Sequence, residues 1–148
     1  MPRILGIDFG ERRVGLALSD PLGMIAQPLP TITRRRGKKP PVGAIAELAA
    51  EREIESIVIG LPLDEHGDES DWTREVRAFG DKLGARTSLP VHYVDERMTS
   101  ARAERAIRES GLSATRRRDK GLVDAGAAVL ILQAHLDAIA RANASKNS

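Results

Sequence analysis

The sequence predicts an α/β fold: a mixed five-stranded sheet whose first three strands are antiparallel and whose later strands are parallel, with helices on both faces. Three apolar, strand-like segments come first and are joined by short turns, which is typical of an antiparallel meander. From residue 42 onwards, helical and strand-like patterns alternate, which is typical of parallel strands joined by helical crossovers.

The meander is predicted from segments at 3–9, 13–19 and 26–33, each of them rich in apolar residues. The turns between them, at 9–12 and 20–23, each contain a glycine, which relieves the backbone where the chain reverses. Three neighbouring antiparallel strands therefore open the fold.

In the second half of the chain, segments with helical periodicity alternate with strand-like segments. Apolar residues recur every three or four positions in its helical segments, and its strands are short apolar runs. We expect two strands, at 56–61 and 90–94, and four helices, at 42–52, from 70 or 71 onwards, at 99–109 and at 119–141.

Length and composition limit the classes of protein that fit. A chain of 148 residues can bury one substantial core, so we expect one domain over 1–141 and a flexible tail at 142–148. The chain has no cysteine, no run of eighteen apolar residues and no charged leader followed by an apolar segment. We therefore expect a cytoplasmic protein without thiol chemistry or a membrane partner.

Basic residues are concentrated in two runs, although the formal net charge is only +2. Such runs favour a polyanionic partner such as nucleic acid, and the alternative is two solvated loops. The first run contains Arg34, Arg35, Arg36, Lys38 and Lys39, and the second contains Arg116, Arg117, Arg118 and Lys120.

Asp8 is the acid that most suggests chemistry. It lies within the apolar segment 4–10, where an ionised carboxylate needs a metal ion, a cationic partner or water. Two further acids are candidates because of their position. In α/β sheets, active groups gather beyond the ends of strands. Glu96 comes just after the predicted strand 90–94, and Asp124 lies in the last predicted helix.

The position of Asp124 on its helix predicts that it points inward. Positions three, four and seven residues further on are Ala127, Ala128 and Ile131, an apolar stripe that should face the sheet. The alternative is a structural ion pair between Asp124 and Lys120 or Arg13.

Three buried acids would repel one another, and a divalent cation would resolve that repulsion. Carboxylates and water are the ligands of Mg²⁺, for which Mn²⁺ is a plausible substitute. The histidines at 66, 92 and 135 show no metal-ligand spacing. Two such ions about 4 Å apart could activate water and stabilise the leaving oxygen in phosphodiester hydrolysis.

Four blocks of the sequence, in order along nearly the whole chain, resemble the YqgF/RuvX family. They are Gly6-Ile7-Asp8-Phe9-Gly10 with Arg12-Arg13-Val14-Gly15, Ile59-Gly60-Leu61-Pro62, Asp95-Glu96-Arg97-Met98-Thr99, and the segment from Asp124 to Gln133. The resemblance implies an RNase H-like fold of the RuvC type. It also implies a Holliday-junction-resolvase-like nuclease, with maturation of the precursor of 16S ribosomal RNA as the expected role.

The resemblance also implies roles for particular residues. Asp8, Glu96 and Asp124 correspond to the family's acidic, metal-binding and catalytic set. Arg13 occupies the basic position after the first strand, where it would reach a phosphate or pair with a nearby acid. Arg97 would contact the nucleic-acid backbone or orient Glu96.

Lys120, one turn before Asp124, would offset charge in the transition state or pair with Asp124. Together these expectations describe a magnesium-dependent nuclease in ribosome biogenesis, acting as a monomer or homodimer on precursor RNA, within ribosomal precursor particles. Alternatives are a resolvase of branched DNA, a non-catalytic RNA-binding assembly factor, and an actin-like nucleotide-binding domain.

Overall fold

The computed structural model describes residues 3–34, 39–101 and 126–146. Five strands form one sheet in the order β3-β2-β1-β4-β5. The pairs β1–β2 and β2–β3 are antiparallel, whereas β1–β4 and β4–β5 are parallel, which confirms the predicted mixed sheet. The strands are β1 (Arg3–Phe9), β2 (Arg13–Ser19), β3 (Ala26–Thr33), β4 (Ile54–Leu61) and β5 (Val91–Asp95).

Three described helices cover the two faces of this sheet. They are α1 (Val42–Glu51), α2 (Asp71–Thr87) and α3 (Gly126–Lys146), and a single 3₁₀ turn, Glu96–Met98, follows β5 directly. A capping box between Ser70 and Thr73 starts α2, because each side chain accepts a hydrogen bond from the other residue's backbone N–H.

Each face of the sheet has its own apolar core. The core on the first face contains Ile7 of β1 with Ile45 of α1 and Phe79 of α2. On the second face, Val58 of β4 packs with Ile131 of α3. The strands β1 and β4 are therefore covered on both sides, as expected for the centre of an α/β sheet.

Aromatic rings hold the end of β1 on the first face. The Phe9 ring stacks on Phe79, with ring centroids 4.1 Å apart, and on Trp72 at 5.5 Å. Because Phe9 is fixed by two rings of α2, the neighbouring residue Asp8 is held on a rigid strand end.

The predicted bounds differ from the structure in a few places. Helix α3 continues to Lys146, five residues beyond its predicted end at 141, because its alanine-rich end has no glycine or proline to stop it. Strand β4 begins two residues earlier than predicted, at Ile54. The predicted helical positions 102–109 and 119–125 lie outside the described residues.

Within the described ranges, none of the helices is long and apolar enough to cross a membrane.

Candidate active site

Asp8 lies on the sheet face that α3 covers. Side chains alternate along a strand, and its neighbours Ile7 and Phe9 both pack into the core on the opposite face. The residue is completely buried. Its partner on β2 is Gly15, which places no side chain beside it.

Two glycines allow α3 to lie directly on the sheet at this point. A Cβ atom on Gly6 would lie 2.6 Å from the Cβ of Leu132, and one on Gly60 would lie 2.4 Å from the Cδ1 of Ile131. Both distances are too short for real atoms, so the helix packs against bare backbone of β1 and β4. Glycine in these strands thus marks a close approach.

Glu96 reaches the same face from the other side. It follows β5 and is only 1% exposed, and its Oε1 lies 2.8 Å from the position of a Cβ on Gly60. Gly60 belongs to β4, the strand between β5 and β1. The Glu96 carboxylate therefore extends over β4 towards the strand that carries Asp8.

Strand register brings the two acids to the same end of the sheet. Ile7 of β1 pairs with Ile59 of β4, so Asp8 and Gly60 are the next residues of two parallel strands. Because both strands run in one direction, their carboxyl ends meet at one edge. Asp8 and Glu96 thus share one face and one edge of the sheet.

The backbone around Glu96 is fixed by short-range hydrogen bonds. The Asp95 carboxylate accepts a bond from the backbone N–H of Arg97 at 2.9 Å. The Glu96 carbonyl accepts two bonds from Thr99, one from its backbone N–H and one from its hydroxyl, each 3.1 Å long. The 3₁₀ turn therefore holds Glu96 in one orientation.

Two buried carboxylates on one face provide the donor chemistry that a hard divalent cation requires, so the described part of the site fits Mg²⁺. No group of three or more potential metal ligands is close enough together within the residues that the structure describes. The expected third acid, Asp124, lies outside them.

The described basic residues differ in whether they are exposed or held against the protein. Arg13 is exposed at the start of β2, two residues before Gly15 and hence on the same face as Asp8. Arg34 points back into the protein: its Nη1 donates to the Gly10 carbonyl at 2.8 Å, and its guanidinium lies 4.5 Å above the Phe9 ring. Lys39 is exposed.

Arg97 contacts Asp95 and the loop after β4, which comprises residues 62–70. The pairing of Arg97 with Asp95 was not predicted from the sequence. The Asp95 carboxyl group raises the pKa of Arg97, chiefly through a hydrogen bond. Asp95 is partly buried in this pair.

The remaining predicted site residues lie outside the described parts of the chain, and their positions stay predictions. They are Arg35, Arg36, Lys38, Arg116, Arg117, Arg118, Lys120 and Asp124.

Sequence reasoning missed the role of Gly60, although a glycine that interrupts an apolar run was an available signal of close approach.

Comparison with solved structures defines the class of fold. The chain is similar to Thermus thermophilus RuvC in a complex with its Holliday junction substrate, with a TM-score of 0.52 and 15% identity, covering 93% of this chain and 95% of that one. The protein thus has the RNase H-like fold of the RuvC type that the sequence predicted.

Comparison with known sequences then defines the family. The RuvX family model, described as a Holliday junction resolvase, matches residues 2–138. A relative from Koribacter versatilis is 47% identical over 91% of this chain and 86% of its own length, and one from Moorella thermoacetica is 44% identical over 91% and 94%. Both are named "Putative pre-16S rRNA nuclease". The chain belongs to the RuvX family, a family of nucleases.

Proposed function

We propose that this protein is a metal-dependent nuclease that hydrolyses phosphodiester bonds in the precursor of 16S ribosomal RNA. The observation that carries the proposal is the Glu96 carboxylate extending over Gly60 onto the face that holds Asp8. The names of the relatives supply the substrate. Work on ribosomal precursors would place the protein in the cytoplasm.

Asp8 and Glu96 would hold Mg²⁺, with Mn²⁺ able to replace it. When bound, such a cation would supply positive charge near the scissile phosphate. It would also lower the pKa of an adjacent water molecule, so that the water can lose a proton near neutral pH. The two residues contribute buried oxygen donors, held by the end of β1 and by the 3₁₀ turn after β5. Their rigid placement means that the site needs little reorganisation before reaction.

The direction of α3 supports Asp124 as the third acid. Gln133 of α3 accepts a hydrogen bond from the Ala26 backbone at the start of β3, whereas the Ala128 carbonyl lies beside Gly6 in the middle of β1. The start of the helix therefore points towards the Asp8 end of the sheet. In the sequence, Asp124 precedes the described part of α3 by two residues.

Arg13 and the two basic runs would bind the phosphate backbone. Arg13 is suited to this because it is exposed on the face of the acids. Arg34 is less suited than the rest of its run, because its guanidinium is occupied by Gly10 and Phe9. We assign Arg34 to holding the β1–β2 turn instead.

A second candidate substrate is a four-way DNA junction, which the family's description as a Holliday junction resolvase favours. Junction cleavage would use the same acids. A homodimer would suit a two-fold junction, whereas a monomer would suffice for precursor RNA.

The test is cleavage of a labelled precursor 16S RNA fragment and a labelled four-way DNA junction, side by side, with Mg²⁺ or Mn²⁺. We expect the RNA to be cut faster than the junction. Asp8→Asn should lower the rate by about a hundredfold or more, because it removes a charged metal ligand.

Preferential cutting of the junction would make the protein a resolvase. If wild type binds both substrates and cuts neither, the protein is an assembly factor and the proposed nuclease activity is wrong. Glu55→Gln, an exposed acid on β4, is the control for a general effect of removing charge.

A further inference from the structure

We infer that Arg97 is a positioning residue: its guanidinium joins the loop after β4 to the end of β5 and so fixes the carboxylate of Glu96. The inference rests on the proposed role of Glu96. It also decides between the two roles that the sequence left open for Arg97, phosphate contact and orientation of Glu96.

Arg97 and Asp95 form an ion pair. Arg97 Nε lies 3.2 and 3.1 Å from the two carboxylate oxygens of Asp95, and Nη2 lies 2.8 Å from Oδ2. The side chains are 33% and 24% exposed, so solvent screens this pair less than a free surface pair. A two-pronged arginine–carboxylate contact also fixes orientation as well as distance.

The loop after β4, residues 62–70, is folded around Asp64. The Asp64 carboxylate accepts bonds from the backbone N–H groups of His66 at 2.9 Å and Asp68 at 2.8 Å, and its carbonyl accepts one from Gly67 at 3.0 Å. These hydrogen bonds give the loop a fixed backbone conformation.

The Arg97 guanidinium lies directly against this loop. Its Nη1 donates to the Glu65 carbonyl at 3.4 Å, and its Nη2 lies 3.0 Å from where a Cβ on Gly67 would be. Gly67 has a φ of +84°, a backbone conformation that side chains disfavour. Glycine at this position thus serves both the turn and the close approach of the guanidinium.

Glu96 lies between the two partners of this ion pair in the sequence. Asp95 and Arg97 flank Glu96, so their ion pair holds the chain on both sides of it. Arg97 directs its Nε and Nη2 groups to the Asp95 carboxylate and its Nη1 group to the loop, so the side-on edge of the guanidinium is occupied by an acid of the protein. A phosphate would have to displace Asp95 to gain the same contact.

The test compares kcat and KM for precursor RNA in wild type, Arg97→Gln and Arg97→Lys. We expect Arg97→Gln to lower kcat about tenfold or more with KM changed less than about twofold, because misplacing a reacting group slows the chemical step. Arg97→Lys should rescue little, since lysine keeps the charge and loses the two-pronged geometry.

Arg77→Gln is a matched control. Arg77 pairs with Glu69 at 2.5 Å and so anchors the far end of the same loop to α2, away from Glu96. We expect this variant to keep kcat within about twofold of wild type, as surface pairs contribute little.

A second readout does not depend on cleavage. The backbone N–H of Thr99 donates to the Glu96 carbonyl, so its hydrogen-exchange rate reports how firmly Glu96 is held. We expect faster exchange in Arg97→Gln and no change in Arg77→Gln.

Three results would overturn the inference: unchanged exchange at Thr99 in Arg97→Gln, a raised KM with normal kcat, or full rescue by lysine. The last two would make Arg97 a phosphate contact. An inactive wild-type protein would instead refute the proposed function, and the exchange measurement would still test the placement of Glu96.

Discussion

At the scale of single residues, Gly60 is the position on which the candidate site depends most. It leaves space at one point for two groups from different parts of the chain, the Glu96 carboxylate and the Ile131 side chain of α3. An alanine Cβ here would lie 2.8 Å from the former and 2.4 Å from the latter. Neither group can keep its position if that atom is present.

We therefore expect Gly60→Ala to lower the free energy of unfolding by about 1–3 kcal/mol, the usual cost of overpacking a core. It should also slow cleavage, because Glu96 must move. Gly43→Ala in α1 is the control, since among the described residues its Cβ would meet only Arg86 Nη2, at 3.8 Å, and alanine favours a helix. Thermal unfolding and RNA cleavage of both variants check this. Wild-type behaviour of Gly60→Ala would show that Glu96 does not use this space.

At the scale of elements, α3 matters most because it packs on the sheet face that holds both acids. Gln133 ties it to the start of β3, accepting from the Ala26 N–H and donating to the Met24 carbonyl, both at 2.9 Å. On the other side, His135 of α3 lies against His92 of β5, with ring centroids 5.5 Å apart. The helix is thus fixed at both margins of the sheet.

The histidine contact predicts a pH dependence of stability. Burial, and then the nearby His92, lower the pKa of His135 below its usual value of 6.5. The unfolded chain therefore takes up this proton more readily than the folded one, so stability is lost as the pH falls below about 6.5. Well above pH 6.5 the histidine is neutral in both the folded and the unfolded chain, and the contact then has no pH-dependent effect on stability.

Urea unfolding of wild type and His135→Gln at pH 7.5 and pH 5.5 checks this prediction. Wild type should lose more stability between the two pH values than the variant does. His66→Gln, in the exposed loop after β4, should behave like wild type. Equal losses in wild type and His135→Gln would contradict the assignment.

At the scale of the whole molecule, local pattern was enough to predict the sheet. Apolar runs and glycine turns identified the three antiparallel strands, and alternation identified the parallel ones. Asp8 was identifiable for the same reason, since a charge in an apolar strand is conspicuous within a few residues. These features depend on neighbours in sequence.

The features that the sequence did not reveal depend on contacts between distant segments. The pairing of His92 with His135 joins residues 43 positions apart, and Arg97 reaches Glu65 from 32 positions away. Arg34, which reads as part of a basic run, contacts Gly10 from 24 positions away. No periodicity encodes such contacts, because they follow from how α3 and the loop pack on the sheet.

The central claim is that Asp8 and Glu96 act as one site, and a double-mutant cycle tests it most directly. The cleavage rates of precursor RNA are measured for wild type, Asp8→Asn, Glu96→Gln and the double variant, with thermal unfolding to confirm that each is folded. Residues that act as a unit have non-additive effects, so each single change should remove most of the activity and the double variant should lose no more. If the two losses instead multiply, or if either single variant keeps the wild-type rate, Asp8 and Glu96 do not form a shared catalytic site.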